Sequence, residues 1–215
     1  MLRASLTSST LLFMSSPFRA PLLAAAIAFL ICTPFLWYVL THVGSAESGF
    51  VHAAHDLLAE KPFGYLGAYP PGIAWLYAGF LFFLPSFSAA HAAVFQTLVF
   101  ATGAGLWWWL LRRLLPTPQT AWLAWGVSHL KHYLVWTAST SKDTSFEWLA
   151  LVAFFALLWQ TISPSPATSK RSSHVHALGL VAVFFTGLLL RVSIAPVALG
   201  ALLLAFLLAP KERRI

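Results

Sequence analysis

The sequence predicts an all-α fold: a polytopic membrane helical bundle with about six transmembrane helices and one re-entrant or surface helix in its first outer loop. Of its 215 residues, 59% are hydrophobic and only 9% are charged, and the mean hydropathy is +0.78. Those values are typical of multi-pass membrane proteins and not of soluble domains. We predict a single membrane domain over residues 1–215, because no internal repeat divides the chain.

The charge distribution points to the same class. A net charge of +7 is compatible with nucleic-acid binding, but most cations lie at the ends of apolar segments. They are Arg3, Arg19, Arg112, Arg113, Lys170, Arg171, Lys211, Arg213 and Arg214. Because cytoplasmic loops carry such an excess of Lys and Arg, we expect an integral multi-pass protein with a cytoplasmic amino terminus and no nucleic-acid partner. A bacterial inner membrane and an endoplasmic reticulum are both compatible hosts.

The amino-terminal residues 1–20 contain two Arg, several Ser and Thr and no acid. This composition suits either a cytoplasmic lead-in or a targeting segment. The apolar stretch Pro21–His42 that follows is long enough for a bilayer, which favours a retained anchor. Cys32 is the only cysteine, so no disulfide forms within the chain.

Five long apolar segments follow one another along the chain. They are Pro21–His42, Ala89–Leu111, Thr120–Thr137, Ser145–Ile162 and Ala177–Ala209. Arg191 and Pro196 interrupt the last one, which therefore predicts a hairpin of two short spans. Together the segments give six spans.

A shorter apolar segment, Gly72–Leu84, decides the topology. Its 13 residues reach about 20 Å as a helix, less than the ~30 Å hydrocarbon core. If it does not cross, every basic cluster falls on one face; if it crosses, the clusters at 112–113 and 170–171 move to the outer face, against the charge bias. We therefore predict a re-entrant or surface-lying helix that opens at Pro70-Pro71. Residues 44–88 then form the first outer loop, and residues 163–174 form a cytoplasmic linker.

Five of the six acidic residues fall in the two outer loops. They are Glu47, Asp56, Glu60, Asp143 and Glu147. Carboxylates so scarce and so grouped in a membrane protein indicate a functional site. With the short segment re-entrant, both groups face the same side, and one site can hold them.

The first acidic stretch, 47–60, predicts an amphipathic helix on the membrane surface. Its apolar face consists of Phe50, Val51, Ala54, Leu57 and Leu58. On another side, His52 and Asp56 are four residues apart and therefore neighbours. A histidine with two acids nearby can bind a divalent cation or act as a general base. The alternative is the solvated polar face of a surface helix, with His52 and His55 in no special role.

In the second outer loop, Asp143 follows Lys142. A carboxylate beside an ammonium group suits a site where a proton is removed and a phosphate is held. Thr144 and Glu147 have the spacing of a capping box, which by itself accounts for Glu147.

Ionisable residues also interrupt the apolar segments. His129, Lys131 and His132 lie in the third segment, where an ionisable group costs about 2.5–3.5 kcal/mol unless it faces a cavity or a partner. They either line a hydrated pocket below the outer site or form a packed histidine pair. Arg191 lies in the outer turn of the final hairpin, where it either binds an anionic group such as a lipid phosphate or extends to the interface.

The order of these features resembles the membrane glycosyltransferases of the GT-C superfamily, particularly the protein-mannosyltransferase-like bacterial enzymes. Those proteins share an acidic pair after the first span, an Ala-x-x-Leu-Leu segment, a Tyr-Pro-Pro element, an Arg-rich inner turn and an acid in the second outer loop. The corresponding stretches are Ala46-Glu47, Ala54-His-Asp-Leu57-Leu58, Tyr69-Pro70-Pro71-Gly72, Arg112-Arg113 and Ser141-Lys142-Asp143. The resemblance covers about residues 20–210, and Tyr-Pro-Pro-Gly is its most specific part.

The resemblance implies inverting transfer of a sugar from a polyprenyl- or dolichyl-phosphate donor to an acceptor on the outer or lumenal side. It implies Glu47 and Asp143 as catalytic residues, and Lys142 and Arg191 as phosphate-binding residues. The remaining substrate-binding candidates are Tyr69, His52, Asp56, His129, Lys131 and His132. Ala46 stands where the family has its first acid.

Two other functions stay open. A non-catalytic membrane subunit, or a degenerate GT-C relative, would bury its aromatic side chains against a membrane-protein partner. A small transporter would use His129, Lys131, His132 and Glu147 as intramembrane relays. The enzyme alone requires Glu47 and Asp143 to meet in one outer cavity near bound lipid.

Overall fold

A computed structural model describes residues 19–43, 49–60, 72–129, 144–163, 170–190 and 194–208. These ranges contain helices and no strand, so the predicted all-α class is confirmed. The helices are α1 (Arg19–Tyr38, continued by a π-helical turn at Val39–Val43), α2 (Gly49–Leu58), α3 (Gly72–Phe83), α4 (Ala89–Leu114), α5 (Pro118–His129), α6 (Thr144–Ile162), α7 (Lys170–Leu190) and α8 (Ile194–Leu208).

Three helical segments in the described part of the chain are long and apolar enough to cross a membrane. They are Arg19–Thr41, Ala89–Leu114 and Ser145–Ile162. Two shorter apolar stretches, Gly72–Phe83 and Val175–Leu189, are also helical. The chain therefore has the character of a membrane protein.

The helix α1 packs against α4 through small side chains. Its buried residues recur every four positions: Ala24, Ala28, Cys32 and Leu36. The first three join a cluster with Ala101, Ala104 and Trp108 of α4. The approach is so close that a Cβ at Gly105 would lie 2.7 Å from the carbonyl oxygen of Pro21. Small residues allow helix backbones to come this near in membranes.

The direction of α1 follows from this contact. Pro21 of α1 lies beside Gly105 of α4, and only nine residues of α4 come after Gly105. The π-helical turn begins 18 residues after Pro21 and still contacts α4. At about 1.5 Å per residue, only the amino-terminal part of α4 extends that far. The two helices are therefore antiparallel.

The helix α5 returns along α4 in the opposite direction. Pro118 stands at its first position, and the Thr120 backbone N–H donates to Thr117 Oγ1 at 3.2 Å, which caps the helix. Further along, Trp125 Nε1 donates to the Ala104 carbonyl at 2.9 Å. The ring of His129 then lies 5.7 Å from that of Phe100. Because contacts on α4 move to lower numbers as α5 advances, the pair is antiparallel.

The helix α6 runs parallel to α4. Near its start Phe146 lies 5.9 Å from Phe95, and two residues later Trp148 lies against Gly103. Near their ends the two helices share a groove lined by Trp107, Leu110, Leu114, Phe155, Leu158, Trp159 and Ile162. Residue numbers rise together on both helices, so α4 and α6 begin at the same end of the bundle.

The last two helices complete the layer beside α6. Gly179 of α7 lies beside Leu157, and Thr186 shares a groove with Phe146, so α7 is antiparallel to α6. Residues 191–193 separate α7 from α8, which packs Ala198 against Phe154 and Leu158 of α6. The helix α7 begins at Lys170, seven residues before the predicted apolar tract, because Lys and Arg continue a helix readily into the aqueous layer.

These directions give the bundle two chemically different ends. The basic end gathers the cations whose side chains are described, which are Arg19, Arg112 and Arg113. The acidic end gathers the starts of α4 and α6 together with α2 and α3, and it holds the described carboxylates, which are Asp56, Glu60 and Glu147. Among the described residues the two signs of charge are thus fully separated along the bundle.

Candidate functional site at the acidic end

The short helix α2 packs on α3 through the apolar face that the sequence predicts. Val51 and Ala54 are buried, whereas Leu58 at the helix end is exposed. On the opposite side, His52 Nε2 lies 3.5 Å from Asp56 Oδ2, so the predicted neighbours are in contact. His55 is also exposed.

The His52–Asp56 contact has the distance of an ion pair between neighbours on one helix. The imidazole side chain is 55% exposed and the carboxylate 25%, so the pair is accessible from outside the bundle. Within the described ranges no group of three His, Cys, Asp or Glu side chains gathers to hold a metal ion. The divalent cation therefore stays a prediction.

A buried polar contact joins α3 to α4 beneath α2. Gln96 Nε2 donates to the Tyr77 hydroxyl oxygen at 2.6 Å, and both residues are fully buried. The Tyr77 ring also contacts Phe87 and, at 6.5 Å, Phe146 at the start of α6. Sequence reasoning missed this contact, although a Gln and a Tyr within apolar segments were the available signal.

Two buried polar atoms at this end lack a hydrogen-bond partner among the described residues. They are Gln96 Oε1 and Ser145 Oγ, on α4 and on the first turn of α6. Buried polar groups are nearly always paired, and an unpaired one costs about 1–3 kcal/mol. Gln96 Oε1 can accept a hydrogen bond, and Ser145 Oγ can donate or accept one.

His129 lies in a box of aromatic rings in the middle of the bundle. Its ring stacks on Trp125 at 4.5 Å and meets Phe100 and Trp148 edge-on. Nδ1 lies 2.8 Å from the Trp125 carbonyl oxygen, which only accepts, so Nδ1 carries the proton. Nε2 has no partner among the described residues. The described surroundings are those of a packed histidine, while the predicted pairing with His132 concerns a residue outside the described ranges.

The other predicted site residues also lie outside the described ranges. They are Glu47, Tyr69, Lys131, Lys142, Asp143 and Arg191. Their flanks are described: α2 begins two residues after Glu47, and α6 begins one residue after Asp143. Glu147 lies in the first turn of α6.

The known protein-family models, the curated proteins and the solved structures contain no significant match to this chain.

Proposed function

We propose that this chain is a GT-C-type membrane glycosyltransferase that moves a sugar from a polyprenyl-phosphate-linked donor to an acceptor on the outer or lumenal side. One observation carries the proposal. The helices that directly follow Glu47 and Asp143 contribute Val51 and Phe146 to the same buried cluster at the acidic end. The helices that follow the two carboxylate stretches therefore meet in one cluster.

Chain connectivity limits how far the two carboxylates stand from this cluster. Glu47 precedes Val51 by four residues, and Asp143 precedes Phe146 by three. Few residues therefore separate each carboxylate from the cluster along the chain, and we propose that both act on a sugar donor bound at the acidic end.

The proposed topology has six spans with a cytoplasmic amino terminus. They are α1, α4, α5 with the residues after it, α6, α7 and α8. The separation of charges supports it, since the basic end is then the cytoplasmic end. The 12 residues of α3 reach about 18 Å, too short for a full crossing, and pack beside the first turns of α4 through Tyr77–Gln96 and Phe80–Phe95. We therefore propose that α3 is the re-entrant or surface-lying helix.

The proposed reaction uses carboxylates and cations of this chain. A carboxylate, Asp143 or Glu47, removes the proton from the acceptor hydroxyl. The acceptor oxygen attacks the anomeric carbon, the bond between that carbon and the phosphate oxygen breaks, and its electron pair stays on the lipid phosphate. Lys142 and Arg191 stabilise the negative charge that develops there. His52 and Asp56 lie on the accessible side of α2, where they can bind sugar hydroxyls.

A groove between α6 and α7 supports a lipid-linked donor. It has a volume of about 280 Å³ and is lined by Phe146, Leu149, Ala150, Ala153, Ala182, Val183 and Thr186. Its lining is almost wholly apolar, and it begins at Phe146, three residues after Asp143. A polyprenyl chain in this groove would place its phosphate at the acidic end.

The test is transfer from radiolabelled polyprenyl-phosphate sugars in membranes that contain the protein. We expect Asp143→Asn and Glu47→Gln to lower transfer by about 100-fold or more, the range that positioned acid–base groups contribute. Glu60→Gln is the matched control, because Glu60 is an exposed carboxylate at the same end. Absence of transfer by the unmodified protein, or equal transfer by all four proteins, would contradict the proposal.

The second candidate is a non-catalytic membrane subunit, which exposed aromatic side chains favour. Trp37, Trp75, Phe82 and Phe83 are between 49% and 84% exposed. A subunit would cover them with a defined partner, whereas an independent enzyme covers them with lipid. A photocrosslinker at position 83 distinguishes the two: a stoichiometric protein adduct, together with absent transfer, supports the subunit.

A further inference from the structure

A histidine caps the first turn of α4. Ser88 precedes the helix and His91 follows three residues later, which is the arrangement of a capping box. The Ser88 backbone N–H donates to His91 Nδ1 at 3.2 Å, and Ser88 Oγ lies 2.8 Å from the same nitrogen. A capping box usually has Glu or Gln at the second of these positions, and neither takes up a proton near neutral pH. An imidazole does so, and it can thereby lose its role as acceptor.

The observed hydrogen bonds require a neutral His91 ring. A backbone N–H can only donate, so Nδ1 is unprotonated and the ring proton is on Nε2. A second proton would have to go on Nδ1, where it would face the Ser88 backbone N–H. The Ser88 hydroxyl can reverse its role and accept from a protonated Nδ1, but the backbone N–H cannot. The new positive charge would also stand in the first turn of α4, where the helix dipole opposes a cation.

His91 also supports the turn that joins α3 to α4. Its ring stacks on that of Phe87 at 5.9 Å. Phe87 in turn contacts Phe80 and Tyr77 of α3, each with ring centroids 5.3 Å apart. Phe87 is buried and belongs to the same cluster as Tyr77 and Phe146 of α6. A change at His91 therefore acts on the cluster in which α3, α4 and α6 meet.

Other ionisable groups at this end do not bond to the ring. Within the described ranges His91 has hydrogen bonds only to Ser88, and it has no ion pair. The ionisable residues of the neighbouring elements are His42 in the π-helical turn, His52, His55, Asp56 and Glu60 in or just after α2, Tyr77 in α3 and Glu147 in α6. The cap therefore depends on the protonation of His91 itself.

We propose that Ser88 and His91 form a pH-sensitive latch, which holds the turn between α3 and α4 closed at neutral pH and opens it on acidification. The latch is intact while the imidazole is neutral. Its contribution to stability is therefore lost as the pH falls from about 8 to about 5, the range in which histidines take up a proton. In the topology proposed above the latch lies on the outer or lumenal side, so it responds to the acidity of that compartment. It does not depend on the transferase chemistry.

Amide hydrogen exchange of the detergent-purified protein tests the latch, with mass spectrometry of peptides that cover residues 84–95. The Ala92 backbone N–H, which donates to the Ser88 carbonyl at 2.9 Å, lies in this region. After correction for the intrinsic effect of pH on exchange, we expect about fivefold faster exchange at pH 5 than at pH 8, the loss of one cap. His91→Gln keeps an acceptor that does not titrate, so it should retain the protection at both pH values. His55→Gln, which removes an exposed histidine at the same end, should leave the pH dependence unchanged.

Three results would overturn the proposal. One is equal exchange at pH 5 and pH 8 in the unmodified protein. Another is the same acceleration in His91→Gln, which would assign the effect to a different group. The third is equal acceleration along the whole of α4, which would indicate general unfolding in acid. If His91→Gln fails to give a single size-exclusion peak, Ser88→Ala decides. It removes the hydroxyl that can accept from a protonated ring, so its acceleration should exceed that of the unmodified protein, and an equal or smaller one would overturn the latch.

Discussion

Gly103 of α4 lies against the indole of Trp148 of α6, so closely that a Cβ at position 103 would stand 2.7 Å from Cδ1 and 3.0 Å from Nε1 of that ring. Trp148 in turn meets the rings of His129 and Trp107 at 5.5 Å and 5.8 Å. The glycine thereby sets the height at which α6 lies beside α4. Since the two helices are parallel, it also places the start of α6 at the acidic end.

We expect Gly103→Ala to destabilise the protein by about 1–3 kcal/mol, the usual effect of overpacking a core. The added methyl group has to displace an indole that aromatic rings hold on two sides. Gly126→Ala is the control, because no atom lies within 4 Å of a Cβ there and alanine favours a helix by about 0.5–1 kcal/mol. Thermal unfolding in detergent measures both, and a Gly103→Ala protein as stable as Gly126→Ala would refute the contact.

Tyr77 and Gln96 should be energetically coupled through their hydrogen bond. Tyr77→Phe leaves the Gln96 amide buried without its acceptor, at a cost of about 1–3 kcal/mol. Replacing both partners, as Tyr77→Phe with Gln96→Leu, should cost less than the sum of the single changes. A double-mutant cycle of unfolding free energies measures the difference. Strict additivity would show that α3 is not bonded to α4 in this way.

His129 should behave as a packing residue. His129→Phe keeps the aromatic volume, and the Trp125 carbonyl retains the Ser128 hydroxyl at 2.8 Å as a donor. We therefore expect His129→Phe to lower the free energy of unfolding by less than about 1.5 kcal/mol. His129→Ala leaves a cavity and should lower it by about 3–5 kcal/mol. Transfer activity should survive in His129→Phe. A folded but inactive His129→Phe protein would instead assign this histidine to substrate binding.

Helix positions followed from the sequence because apolar runs end sharply at proline or charge. The segment predicted at Ser145–Ile162 is helical over Thr144–Ile162, and the one predicted at Gly72–Leu84 is helical over Gly72–Phe83. The short length of α3 was therefore predictable. That length is the basis of the prediction that α3 does not cross the bilayer. Whether all six predicted segments cross the bilayer stays part of the proposal.

The packing partners did not follow from the sequence, for a physical reason. In a soluble helix the buried face differs in polarity from the exposed one, but in a membrane both lipid-facing and core-facing sides are apolar. The pattern around Gly103 or Tyr77 therefore does not indicate which neighbour each residue meets. The same holds for His129, whose aromatic surroundings come from three separate helices. Two packing signals were readable: the small residues at four-residue spacing in α1, such as Ala24 and Ala28, and the apolar face of α2.

The proposed function depends most on both acidic stretches lying on one side of the membrane. Single cysteines at positions 45, 86 and 139 should react with an impermeant thiol reagent in intact cells, and Cys32, which is buried, should give little background. A cysteine at position 117, between α4 and α5 at the basic end, should react only after permeabilisation. Opposite accessibility of positions 45 and 139 would contradict a shared site for Glu47 and Asp143.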